Sequence, residues 1–171
     1  DDVRLSKRLH IPERRLRGFE RGKIGPTDSG DYIGGNYATT MNFVTTMPKL
    51  FADFAKVQLL IRQNKRVQAL EKLTVLKSTT EPFVAHIAAY QAGYIHLLRE
   101  EYLLSLDVLK TIKGETIFYE LGQIMQAEIL DYIQNDPGAA IDIYLQFLES
   151  YPLSIYYDDI RLRLRKLASL N

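Results

Sequence analysis

The spacing of apolar residues changes once along the chain, close to Pro48. Before it, apolar and polar residues alternate in two stretches, 3–11 and 37–47, each ended by a proline. A period of two predicts β-strands, and proline ends a strand because it cannot donate to the ladder. After it, apolar residues recur about every 3.6 positions, which predicts helices. The pattern therefore divides the chain into two unlike parts, residues 1–50 and residues 51–171.

A long glycine-rich loop, residues 13–36, joins the two predicted strands. Hairpin loops of soluble proteins usually have about 2–5 residues, whereas transmembrane barrels carry long loops at one end. The second strand places Tyr37, Met41 and Phe43 on one face and small or polar residues on the other. That alternation fits a lipid-facing barrel strand or a half-buried strand of a soluble sheet. The pattern alone favours the soluble sheet.

Seven helices are predicted in the second part. Their ranges are 50–63, 66–77, 83–98, 101–112, 116–134, 138–150 and 154–169. Pro82 and Pro137 stand where helices begin, a position that suits a residue without a backbone N–H. Asp136 is predicted to cap the sixth helix and Ser154 the seventh, because both side chains can accept a hydrogen bond from a free N–H.

Composition and charge exclude several classes of function. The 171 residues include no Cys and carry a net charge of +1. Without Cys there is no disulfide, thiolate metal site or cysteine nucleophile. The near-neutral charge argues against a general nucleic-acid binder, and the basic run at 14–23 has no recognisable binding module around it. Six of the 10 glycines lie between Gly18 and Gly35, so the average composition conceals two different halves.

The ends and the hydropathy of the chain lead to two expectations. The sequence starts at Asp1 without Met, and no apolar leader follows, so we expect a processed chain or a piece of a longer one. The sequence contains no run of about 18 apolar residues, so no transmembrane helix is expected.

The predicted loop and the strand after it contain two short motifs in order. They are Arg17-Gly18-Phe19 and Gly34-Gly35-Asn36. Between about Val3 and Leu50, the chain resembles the BamA-like outer-membrane assembly barrels, at their long inward-folded loop. The resemblance implies that the arginine tip pairs with acidic groups inside a barrel lumen, and that the protein belongs to the bacterial cell envelope. A barrel needs at least about eight strands; only two are predicted here, so the motif cannot perform that role within this chain.

The predicted helices form repeated pairs. Short polar turns recur at 64–65, 100–101 and 135–136, and a small residue follows each turn about five positions later. These small residues are Ala69, Ser105 and Ala140, with spacings of 36 and 35. Gly93, twelve residues before Ser105, would let paired helices approach closely. Residues 89–112 and 124–152 resemble the tetratricopeptide repeat (TPR), which implies antiparallel helix pairs in a short solenoid; an irregular helical bundle remains the alternative.

A solenoid of this kind would have a concave face that binds a protein or peptide. Candidate residues on the first helix of each pair are His86, Tyr90, Tyr94, Gln123 and Gln126. The last helix alternates basic and apolar residues between 160 and 167. That pattern favours a solubilising cap at the end of the array, with a membrane-surface helix as the alternative.

No catalytic constellation is visible. His10, His86 and His96 lack metal-like spacing, and no nucleotide-binding or nucleophile motif occurs. We therefore expect a non-enzymatic protein without metal or cofactor.

The two resemblances predict a protein-interaction module in outer-membrane protein assembly, located at the outer membrane or in the periplasm. Its partners would be a protein or peptide and components of outer-membrane assembly. Nucleic acid is not expected, and membrane association would occur only through the N-terminal segment.

The alternative is a chimeric or truncated chain in which only the helical scaffold is functional. A third possibility is a cytoplasmic scaffold whose β-arm is incidental. Residues 13–36 are predicted to be poorly ordered without a barrel.

Overall fold

The computed structural model describes residues 45–114 and 116–169, and this part of the chain is mainly helical. It contains seven α-helices and no strand among the described residues. They are α1 (Pro48–Arg62), α2 (Arg66–Lys77), α3 (Pro82–Leu98), α4 (Tyr102–Leu109), α5 (Ile117–Glu128), α6 (Pro137–Ser150) and α7 (Tyr157–Ala168). A π-helical segment, Ile129–Ile133, continues α5. The predicted number and order of the helices are confirmed, and no helix described here is long and apolar enough to span a membrane.

The predicted β part lies almost entirely outside the described residues. This applies to the first strand, the loop 13–36 with its predicted poor order, and both barrel-loop motifs. Of the second predicted strand, only residues 45–47 are described, and none of them lies in a strand. The strand prediction extended too far here, because the carbonyl of Met47 already accepts the first helical hydrogen bond of α1, from the N–H of Phe51 at 2.9 Å.

Prolines and one aspartate fix the helix starts. Pro48, Pro82 and Pro137 each occupy the first turn of a helix, where their missing N–H costs nothing. The Asp136 side chain accepts a hydrogen bond from the N–H of Ala139 at 3.0 Å, so the predicted cap of α6 is confirmed.

The start of α7 was predicted incorrectly. Ser154 lies in a turn before the helix, where its hydroxyl accepts a hydrogen bond from the N–H of Tyr156 and its carbonyl accepts one from Tyr157. These bonds close a turn rather than cap a helix, so α7 begins three residues later than predicted.

The same turn occurs three times between helices. Asn64, Glu100 and Asn135 have positive φ angles of 58°, 62° and 53°, and each is the first residue of a predicted polar turn. In each turn, the N–H of the following residue donates a hydrogen bond to a carbonyl of the preceding helix. The pairs are Lys65 to Leu60, Glu101 to His96 and Asp136 to Leu130, all at 2.9 Å. Left-handed residues of this kind end helices and reverse the chain. The first two hydrogen bonds span five residues and the third spans six, so three similar reversals join α1 to α2, α3 to α4, and the π-helical segment to α6.

Glu100 is the least suitable of the three turn residues. In the left-handed region the Cβ atom comes too close to a backbone carbonyl oxygen, and only Gly and Asn adopt this conformation readily. We expect Glu100→Gly to raise the free energy of unfolding by about 0.5–1 kcal/mol. Urea denaturation followed by circular dichroism measures the difference. Asn64→Gly is the matched control and should change stability less, and a loss of stability in Glu100→Gly would contradict the prediction.

Two groups of buried side chains form the core, and α3 contributes to both. Tyr90 and Leu97 of α3 belong to the larger group, which includes α4 to α7. Ala88 and Ile95 belong to the smaller group, formed with α1 and α2. The helix is buried on most of its circumference, so it holds the first helix pair against the rest of the described chain.

The predicted close approach of α3 and α4 is confirmed. A Cβ built at Gly93 would lie 2.7 Å from Cγ of Leu109, and the Ser105 hydroxyl donates a hydrogen bond to the Gly93 carbonyl at 2.7 Å. In the next pair, the fully buried small residue before Ala140 is Ala127, thirteen positions away. The π-helical segment lies between them and adds one residue to the usual turn.

Candidate functional site

Most of the residues predicted for a concave binding face are buried. Tyr90 lies inside the larger core group against Phe118, with 5.8 Å between ring centroids. Tyr94, Gln123 and Gln126 are buried as well. These four candidate residues therefore do not face solvent in the described chain; α5, which carries the two glutamines, packs against α3, α4 and α6 and is covered along nearly its whole length.

His86 alone of the predicted residues remains half-exposed. Its Nδ1 lies 2.9 Å from the hydroxyl oxygen of Thr116, the residue that precedes α5. Burial lowers the pKa of His86 below its ordinary value. The contact joins the starts of α3 and α5, which is a structural role.

Two of the buried predicted residues carry unsatisfied polar atoms. The Tyr90 hydroxyl and the Gln123 carbonyl oxygen have no hydrogen-bond partner among the described atoms. The pKa of Tyr90 is raised well above its ordinary value, first by burial and then by Tyr156, Tyr94 and Glu128. The phenol therefore stays neutral and cannot act as a base at ordinary pH.

The most polar site in the described interior was missed by sequence reasoning. We name it the Asp131 cluster; its members are Glu128, Asp131, Tyr132, Tyr144 and Arg163. Arg163 of α7 donates two hydrogen bonds to the Asp131 carboxylate, from Nε at 2.6 Å and from Nη2 at 2.5 Å. The Tyr144 hydroxyl of α6 donates a third at 3.2 Å, and the guanidinium carbon lies 4.6 Å from the centre of the Tyr132 ring.

Burial makes this ion pair unusual. Only 2% of the Asp131 side chain is exposed, against 26% for Arg163. Glu128, one turn earlier, is also buried and raises the pKa of Tyr144, which burial itself already raises. The hydrogen bond with Asp131 raises the pKa of Arg163, so the guanidinium stays charged. The cluster holds the Arg163 guanidinium against the Asp131 carboxylate and so fastens α7 to the π-helical segment.

One signal in the sequence could have indicated the site. Glu128 and Asp131 are the charged residues of an otherwise uncharged stretch, 121–135, and carboxylates are rarely buried unless they are paired. The partner, 32 residues away, could not be chosen from among the four basic residues of α7.

A second charged group lies at the turn between α3 and α4. Glu101 accepts hydrogen bonds from Arg99 at 2.7 Å and 2.9 Å, and its other oxygen lies 2.7 Å from Nδ1 of His96. This group is near the surface. No group of three or more metal-ligating side chains occurs within the described ranges.

The carboxyl of Glu101 should titrate unusually low, because hydrogen bonds from Arg99 and then His96 lower its pKa to about 2. A lowered folded pKa adds stability above the unfolded value of 4.5, and this is lost as the pH falls toward 2. Carboxyl-resolved NMR titration should give that midpoint, and Arg99→Ala should move it up toward 4.5. A wild-type midpoint already at its ordinary value would contradict the prediction.

Comparisons of the chain with protein-family models, with curated proteins and with solved structures gave no match.

Proposed function

We propose that residues 45–169 form a short TPR-like solenoid that binds a protein segment without catalysing a reaction. The observation that carries the proposal is the thrice-repeated turn, with left-handed residues at spacings of 36 and 35. Chains that repeat one helix pair at such a period stack the pairs and present extended surfaces to partners.

Contacts between alternate helices support the stacking. The Gln58 amide of α1 donates to the Gln91 amide of α3 at 2.9 Å. Between α3 and α5, the rings of Phe83 and Phe118 lie 5.6 Å apart. The Asp131–Arg163 pair joins the continuation of α5 to α7. These contacts span 33, 35 and 32 residues, close to one repeat each, as expected when each pair is set beside the next.

The contact surface that we propose lies on α2 and α4 rather than on the buried side of α3 and α5. Val67 and Leu103 each follow a left-handed turn residue by three positions, and their exposed fractions are 54% and 69%. Leu104 is exposed beside Leu103. The repeat thus leaves aliphatic side chains exposed at matching positions of two successive pairs, where they are available to a protein partner.

Selection from a displayed peptide library on the full chain tests the binding role. We expect convergence on a motif with aliphatic residues, because Val67 and Leu103 offer aliphatic contact. Leu103→Gln should weaken the selected peptide by about tenfold, the cost of roughly one buried aliphatic group. Leu162→Gln, at an exposed leucine of α7, is the matched control and should leave binding unchanged. Failure of the library to converge on any motif would contradict the proposal.

We further propose that this scaffold serves outer-membrane protein assembly, at the outer membrane or in the periplasm. The support is the sequence resemblance of residues 3–50, with its Arg17-Gly18-Phe19 motif. The alternative is a chimeric or truncated chain in which only the scaffold is functional; the two core groups that the described helices form are consistent with such a scaffold. Mass spectrometry of native material decides between a natural junction and an artefact. Detection of a peptide that spans residues 45–65 would support a natural junction. Absence of that peptide, with the flanking peptides well covered, would support an artefact.

A further inference from the structure

The attachment of α7 combines apolar contacts with one buried ion pair. Of its 12 residues, only Ile160 and Leu167 are buried, and the helix carries four basic side chains. Leu162 is exposed, as is Leu153 in the segment that leads to the helix. Leu164 of α7 and Tyr156 just before the helix are partly buried against the same core group. The bidentate pair with Asp131 is the charged part of this attachment.

The surface beneath α7 has the chemistry of a guanidinium site. The Asp131 carboxylate offers two oxygens to the two donors of a planar fork, and the Tyr132 ring offers a face for stacking. The Tyr144 hydroxyl orients this carboxylate with a third hydrogen bond. A lysine could supply the charge, but neither the fork nor the stacking.

We propose that the Asp131 cluster is a binding site for an arginine presented by a helix of a partner protein, and that α7 fills this site until the partner displaces it. The partner helix has an aliphatic residue three positions before its arginine and another four after it, as Ile160 and Leu167 stand to Arg163. We choose this occupant because a guanidinium complements the charge of the Asp131 carboxylate, and because α7 itself occupies the surface in this way. The inference rests on the proposed scaffold role and names the chemistry of one partner.

Competition with α7 sets the expected affinities. A tethered helix competes at an effective concentration of about millimolar, so a free helix binds the wild-type chain weakly. Loss of the Arg163 guanidinium removes a charge-assisted hydrogen-bonded pair from the competitor, worth about 1.5–3 kcal/mol. A free arginine-bearing helix should then gain about tenfold or more in affinity, which is that energy expressed as a ratio.

The test uses a fluorescein-labelled peptide with the sequence of residues 154–169, titrated into the full chain and followed by fluorescence anisotropy. We expect the Arg163→Ala chain to bind it about tenfold more tightly than the wild type does. Circular dichroism checks that the variant is folded. If it is not, Arg163→Lys replaces it, since it keeps the charge but loses the fork, and a smaller gain in the same direction is expected.

Matched peptides separate the arginine site from general helix binding. An Arg163→Gln peptide should lose about tenfold in affinity for the variant chain, whereas an Arg161→Gln peptide should bind as the original does, because Arg161 pairs only with the exposed Asp158 among described partners. Equal binding by wild-type and variant chains, or by both modified peptides, would overturn the proposal. A library that converges on no motif would count against the scaffold role, whereas the comparison of the two chains and of the two modified peptides decides the arginine site.

Discussion

Replacing Arg163 with methionine is expected to lower the free energy of unfolding by about 3–5 kcal/mol, because it leaves a buried carboxylate without its cation. Only 2% of the Asp131 side chain is exposed, so water cannot take the place of the guanidinium without a rearrangement of α7. The Tyr144 hydroxyl remains as a donor but carries no charge. Urea denaturation at neutral pH, followed by circular dichroism, measures the loss.

Two further variants show whether the loss comes from the buried pair. Arg161→Met removes a neighbouring arginine whose exposed fraction is 51% and whose partner Asp158 is almost fully exposed, so it should cost less than about 1 kcal/mol. Adding Asp131→Leu to Arg163→Met should recover much of the lost stability, since replacing both partners with apolar groups is often nearly neutral. If Arg163→Met costs no more than Arg161→Met, the pair does not hold α7.

Gly93→Val should destabilise the chain by about 2–3 kcal/mol through overpacking. The new Cβ would stand 2.7 Å from Cγ and 2.8 Å from Cδ2 of Leu109, which is itself fully buried. Moving α4 away would also weaken the hydrogen bond from the Ser105 hydroxyl to the Gly93 carbonyl. Thermal and urea unfolding of the variant measure the effect.

Gly138→Ala is the matched control for this substitution. It also adds a side chain to a helical glycine, but the nearest atom to its Cβ, Oδ1 of Asp136, lies 3.6 Å away. It should therefore raise stability by up to about 1 kcal/mol, the difference in helix propensity. Combining Gly93→Ala with Leu109→Ala should cost less than the sum of the single changes, because the second makes room for the first. Additive costs would argue against a contact between the two residues.

The helices could be predicted from the sequence because their signals are local. A 3.6-residue period, prolines at the starts of α3 and α6, and polar residues at the turns are each contained within a few positions. The repeat spacing could be read in the same way, and the left-handed residues Asn64, Glu100 and Asn135 fall at the predicted turns. Gly93 was identified from its offset to Ser105, again a relation along the chain.

The site could not be predicted, because it depends on which surface the next helix covers. The apolar pattern of α3 and α5 does not say that both are buried on several sides, so Tyr90 and Gln123 were placed on an open face. The pairing of Asp131 with Arg163 joins residues on separate helices and requires the π-helical segment, which no local signal predicted. The start of α7 was predicted incorrectly for a related reason, since the Ser154 hydroxyl accepts a hydrogen bond within its own turn.

A scaffold built from residues 45–169 must fold without the residues that precede it. The most direct measurement is circular dichroism of the fragment 45–171 during urea denaturation, beside the full chain. The fragment should be strongly helical and should unfold in one cooperative transition, with a midpoint close to that of the full chain. A fragment with little helix, or one that loses its helix gradually without a transition, would contradict an independent helical scaffold.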